Sequence, residues 1–155
     1  MRNLQLTGIC LVLSILCQTT FAQTSIPVNE PDLKKPRLFA GLPDKIPVHI
    51  LDLQSLVNAG TGKDVSLSLE QNASGVFAGK VISTANKYNN IRSVVIRSSN
   101  FNGATLTLSS SILTNGTVKF TGRIISLQHG DVYELQNQND QYILVKKNFY
   151  DLINE

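Results

Sequence analysis

The sequence predicts an all-β domain, mainly antiparallel: a meander of about seven strands forming a small barrel or sandwich, with a short N-terminal helix. Three observations carry that prediction. From Lys63 onward the apolar residues recur with period two, the spacing of a half-buried strand. The alternating runs are separated by short Asn-Gly, Ser-Gly and His-Gly steps, which supply the positive φ that tight hairpins need. No connection between the runs is long enough for a helical crossover, so neighbouring strands run antiparallel.

Taken in chain order, residues 1–22 read as a cleavable export signal. Arg2 precedes an apolar run from Ile9 to Leu16, and Thr20-Phe21-Ala22 places small residues where signal peptidase needs them. The run is far shorter than the roughly 20 residues of a membrane-spanning helix. The signal has a bacterial look, and the expected destination is periplasmic or extracellular. Cys10 and Cys17 both lie in this segment, and neither follows a small residue as a lipidated cysteine would. Residues 23–155 then contain no cysteine, which excludes thiol catalysis, disulfides and Cys-ligated zinc, and leaves stability to a hydrophobic core. Without Arg2, thirteen basic residues stand against eleven acidic ones. So mild a surplus predicts no general affinity for nucleic acid or anionic membranes.

Residues 23–47 hold all five prolines and read as an extended arm, loose as far as Lys35. Within it Leu38-Phe39-Ala40-Gly41-Leu42 is expected to dock on the domain, since contiguous exposed apolar patches are rare. The single β-rich domain is expected over 48–155. It opens with a helix over Val48–Asn58, capped by Asp52, with Leu53, Leu56 and Val57 on one face and Gly60 and Gly62 ending it; the alternative is that the same residues start as a short strand at Val48–Leu51. The seven strands follow in DVSLSLE, GVFAGKVIS, IRSVVIRSS, ATLTLSS, TVKFTGRIISL, DVYELQN and QYILVKK. The closing NFYDLINE reads as a short helix over an open end or as a last strand.

Phe-Ala-Gly-Lys-Val-Ile-Ser at 77–83 returns as Phe-Thr-Gly-Arg-Ile-Ile-Ser at 120–126. Each copy is preceded by a Leu-alternating strand and followed by a third strand. The pattern reads as a duplicated three-stranded unit, neither half of which buries its apolar face alone, or as convergence between two strands of one type. Phe77, Gly79 and Val81 share a face, as do Phe120, Gly122 and Ile124. A glycine in mid-strand admits a close backbone or ring, or a bend.

Signals for chemistry are sparse. His49, between Val48 and Ile50, reads as a buried or half-buried structural histidine, and His129 as part of the turn Gln128-His129-Gly130-Asp131. No serine sits in a G-x-S-x-G elbow. No zinc, calcium or phosphate-loop spacing is present. Asn72 and Asn115 lie in glycosylation-type triplets that read as turns. No catalytic residue, metal or cofactor is expected, and the protein reads as a non-enzyme.

The feature that stands out is basic charge on the strands: Lys80, Arg92, Arg97, Lys119, Arg123, Lys146 and Lys147. Lys119 and Arg123 share a face, and Lys80 and Arg123 are equivalent in the two copies. Lys80, Arg97, Lys119 and Arg123 are therefore the candidate ligand-binding residues, suited to an acidic glycan, lipopolysaccharide or acidic protein surface. The competing explanation is edge protection, because charged side chains on strands block sheet-to-sheet association. The pattern aromatic-x-Gly-x-Val, then Ser-Val-Val-Ile and a Gly loop, over residues 77–108, is similar to that of β-rich propeptides of secreted metalloproteases, without the cysteine-switch residue many of them carry. The expected function is an exported, non-catalytic β-domain that binds a partner or an anionic surface. The alternative implied by the resemblance is an inhibitor- or prodomain-like module for an extracellular protease.

Overall fold

The computed structural model describes residues 34–69 and 75–152. The expected export signal, the arm as far as residue 33, the Asn72–Ser74 turn and the last three residues lie outside these ranges. The elements are β1 (Lys45–Val48), α1 (Ile50–Asn58), β2 (Asp64–Ser68), β3 (Val76–Lys87), β4 (Ile91–Ser98), β5 (Thr105–Ile112), β6 (Val118–Ile125), β7 (Asp131–Gln138) and β8 (Gln141–Asn148), followed by a 3₁₀ turn at Phe149–Leu152. All eight strands belong to one antiparallel sheet in the order β1-β8-β7-β6-β5-β4-β3-β2. The sheet curls into a half-barrel with β1 and β2 as its edges. It is neither a closed barrel nor a two-sheet sandwich.

The strand count is eight where the sequence suggested about seven. The extra strand, β1, comes from the proline-rich stretch and pairs with β8 through Ile46↔Leu144 and Val48↔Tyr142. Pro47 removes no ladder bond there, because an edge strand needs donors on one side only. The two three-stranded units share their order of elements but not their register. Leu67 stands opposite Phe77, whereas Leu106, its counterpart, stands opposite Ile124. β3 also carries a bulge between Val81 and Ser83, while the β6–β7 pairing runs without a break.

The concave face is the core. Ile46, Leu144, Leu135, Ile124, Leu108, Ile96, Val81 and Phe77 are buried there, with Leu53, Leu56 and Val57 of α1 packed over them. A nine-residue helix is marginal alone, and this apolar stripe is what holds it. α1 begins at Ile50, not Val48. His49 is its N-cap by backbone alone, its carbonyl accepting the Asp52 and Leu53 amides, and no side chain caps the helix. His49 is thus exposed rather than buried, because the strand-to-helix corner turns its side chain outward. Asp52 lies in the first turn, where its charge favours the helix dipole.

Gly79 and Gly122 both point into the concave face. A Cβ on Gly79 would meet the Arg97 carbonyl oxygen at 2.4 Å, and one on Gly122 the Thr107 carbonyl oxygen at 2.7 Å. In both strands the glycine admits the backbone of a neighbouring strand, β4 for Gly79 and β5 for Gly122, as it leans inward, and so permits the curl.

The Leu38–Leu42 patch docks as expected. Phe39 is fully buried, with ring centroids 5.5 Å from Phe101 and 5.2 Å from Tyr133. Asp131, itself fully buried, accepts the amides of Leu38 and Phe39 at 2.9 Å each. Gly130 donates to the Pro36 carbonyl, and the Lys146 amide to the Asp44 carbonyl, so residues 36–48 are knitted onto β7 and β8. The β7–β8 hairpin turns through Asn139 and Asp140 at φ 52° and 64°, a two-residue turn that needs both in the left-handed region.

Gly79→Ala and Gly122→Ala should each destabilise the domain by about 1–3 kcal/mol in urea denaturation, because a ladder carbonyl cannot step aside as a side chain can, and Gly79→Ala the more, because its carbonyl is the closer, 2.4 Å against 2.7 Å. Asp131→Asn should cost about 2 kcal/mol, since one acceptor oxygen then serves two buried amides. Hydrogen exchange at Leu38 and Phe39 should quicken in that variant while β4 and β5 stay protected.

Candidate functional site

Register places the four candidate residues on the convex face of the sheet. Lys80 stands directly opposite Arg97, Lys119 opposite Ser111, and Arg123 opposite Glu134. Lys80 and Arg123 share that face but are separated by β4 and β5, three strand spacings of about 4.8 Å each. Arg97 lies between them in strand order. Arg92 and Lys146, by contrast, fall on the concave side: Arg92 alternates with Val94 and Ile96, and the Lys146 ammonium reaches the Leu42 carbonyl beneath the docked arm.

Among the described residues the convex strand face carries Lys45, Lys80, Lys87, Arg97, Lys119, Arg123 and Lys147 against Asp64 and Glu134. That is seven positive charges against two negative, in a chain whose whole net charge is +3. Basic charge is therefore concentrated on one side. Two ion pairs temper it, Lys80–Asp64 at 3.7 Å and Lys147–Glu134 at 2.9 Å. Between the charges run hydroxyls on β4, β5 and β6, with Ser93 and Ser109 hydrogen-bonded across strands at 2.8 Å.

A second feature lies on the opposite side. Where the lower ends of β3–β6 pass under α1, a cavity of about 410 Å³ opens. Gln54 and Asn58 reach it from the helix, Asn86, Asn89 and Asn90 from the β3–β4 hairpin, and Arg92 from β4. Arg92 donates to the Asn58 side-chain oxygen across it. Sequence reading missed these carboxamides because they are scattered: Gln54 is mid-helix, Asn58 ends the helix, Asn86 is on β3, and Asn89 and Asn90 form a turn, where Asn is also the ordinary residue. The β3 bulge, invisible in the sequence, resets the alternation beyond it, so that Asn86 pairs with inward-facing Arg92. The inward direction of Arg92 was legible, since it keeps step with Val94 and Ile96.

Around His129 the geometry serves structure. Ser126 Oγ and His129 Nδ1 lie 2.8 Å apart, but Ser126 is 1 % exposed, and both Asp131 oxygens are engaged by the arm amides. Asn115 accepts the Thr117 amide at 3.0 Å, the Asx turn expected of it. Among the described residues no cluster of His, Asp and Glu is arranged to hold a metal ion, and no helix is long and apolar enough to cross a membrane.

Comparison with protein-family models, with curated proteins and with solved structures finds no match for this chain.

The Glu134 carboxyl is held below its ordinary value of 4.5, first by the Lys147 hydrogen bond and then by Gln136, with burial opposing. The native state thus binds this proton less readily than the unfolded chain does. Its contribution is complete above the ordinary carboxylate range and is lost as pH falls through the lowered native value. Glu134→Gln should therefore lower stability by about 0.5 kcal/mol at neutral pH, a modest figure for a partly exposed pair. In denaturation curves taken at successively lower pH, the gap from wild type should close below pH 4.5.

Proposed function

We propose that the protein is an exported, non-catalytic β-domain that binds an anionic glycan through the convex face of its sheet, with Lys80, Arg97, Lys119 and Arg123 as the contact residues. One observation carries this reading: the basic residues stand where edge protection does not need them. The sheet's edges are β1 and β2, yet Arg97 is on β4, and Lys119 and Arg123 are on β6, all interior strands. Lys80 and Arg97 are also directly cross-strand, an arrangement of like charges that costs stability. Asp64, cross-strand from Lys80 on its other side, pairs with Lys80 alone and leaves Arg97 uncompensated by it, and a local rule broken in this way is a mark of function. The hydroxyl rows between the cations add donors and acceptors suited to an extended polymer bearing both hydroxyl and anionic groups.

The test is retention of the protein on an immobilised polyuronate over a salt gradient, beside an Arg97→Ser/Lys119→Ser/Arg123→Ser variant. Wild type should bind with an affinity that falls as salt rises. The variant should lose roughly tenfold, three contacts at about 0.5 kcal/mol each. Equal retention of both proteins, or binding indifferent to salt, would remove the convex face from consideration. Preference for anionic lipid vesicles over the polyuronate would replace the glycan by a membrane surface.

A further inference from the structure

We propose that the cavity beneath α1 is a separate binding site for an acidic sugar unit, a hydroxyl-rich ring bearing one carboxylate. It lies on the concave side of the sheet and does not depend on the convex face.

The size of the cavity, about 410 Å³, is within the range of small-molecule sites, roughly 300–1,000 Å³. Its lining specifies the chemistry. Five carboxamides, Gln54, Asn58, Asn86, Asn89 and Asn90, converge on it. Each presents a donor and an acceptor side by side, as does each hydroxyl of a sugar, so the two sets can be mutually satisfied. A purely aliphatic ligand would leave them unpaired at a cost. Among the described residues Arg92 is the only charged one of the lining, and none of the lining residues is a carboxylate. One guanidinium calls for one carboxylate, which it grips with two parallel hydrogen bonds, whereas a polyphosphate would demand more positive charge.

The floor supplies the apolar part. Val57 and Phe120 are almost fully buried at the base, and Ile112, 48 % exposed, stands at the mouth. Such a surface suits the C–H face of a sugar ring. The base is also rigid. The Phe120 amide donates to the Tyr142 hydroxyl at 2.9 Å, and the Phe120 ring packs edge-on to that of Tyr142 at 5.6 Å. Asn58 holds the Arg92 guanidinium across the opening, so one of the recognition groups is already oriented before a ligand arrives. The hairpin tip is held too: Asn89 has φ 60°, and the Asn90 carbonyl accepts the Ile112 amide at 2.8 Å.

The experiment is a titration of the full protein followed by backbone amide NMR shifts, with glucuronate, glucose and hexanoate as separate probes. Glucuronate should move the amides of Asn58, Asn86, Arg92 and Ile112 with an affinity on the order of 1 mM, as expected of a single sugar unit. Glucose should bind about tenfold more weakly, and hexanoate should leave these amides in place. Arg92→Gln, at an exposed position, should bring glucuronate down to the glucose level. Asn86→Ala should weaken both sugars. Hexanoate binding as well as glucuronate would overturn the proposal, as would the absence of shifts with every probe. Shifts confined to Lys80 and Arg97, and unchanged in Arg92→Gln, would also overturn it and assign glucuronate to the convex face.

Discussion

The architecture depends on a steric allowance at two points. Gly79 and Gly122 sit in mid-strand, facing the core, and the carbonyl oxygens of Arg97 and Thr107 lie where a side chain would otherwise begin. A flat eight-stranded sheet would present its apolar face to water. With the neighbouring backbones leaning inward at two strands, and the β3 bulge adding local twist, the sheet becomes a trough. The near-repeat of residues 77–83 and 120–126 thereby acquires a physical meaning whatever its origin: both segments provide Phe, Gly and an aliphatic residue to the concave side at the same spacing.

A trough needs a cover, and two short segments provide it. α1 lays Leu53, Leu56 and Val57 over the strands, and the segment before β1 inserts Phe39 against Phe101 and Tyr133. Neither would be stable alone. The inserted segment has few residues with which to offset its ordering entropy, and its two amides enter the core with it. Asp131 meets both amides, and among the described residues no buried side-chain nitrogen or oxygen is left without a partner. One buried carboxylate thus links the proline-rich stretch to β7, and β1 then extends the sheet at β8.

Curling divides the surface into two environments with different chemistry. The convex side carries most of the basic charge of the strands, interspersed with hydroxyls on the interior strands. The concave side carries the apolar core, and near the lower ends of β3–β6, where the helix ends, carboxamides replace apolar residues around Arg92. The proposed glycan-binding face and the proposed sugar-acid cavity are consequences of this division. Period-two alternation sends successive side chains to opposite environments, so Arg97 and Arg92, five positions apart on β4, serve opposite sides.

Local pattern by itself determined much. Alternation identified β2 to β8 and which residues face the core; Asn, Gly and short spacing placed the hairpins; the glycines in the repeated motif announced close approach. These are properties of a few consecutive residues, and the backbone period of two makes them readable. Other features were decided only by tertiary structure. β1 is a strand because β8 offers it an edge, overriding a composition rich in proline. His49 is exposed because the chain turns there from strand to helix. Asp131 is a clamp and not merely a turn residue because Leu38 and Phe39, more than ninety positions earlier, bring it their amides. The cavity exists because the β3–β4 hairpin, its alternation reset by the β3 bulge, and the end of α1 come together on the concave side. Each rests on partners distant in sequence, and the side chains of one segment carry no record of which backbone groups or which edge another segment will present to them.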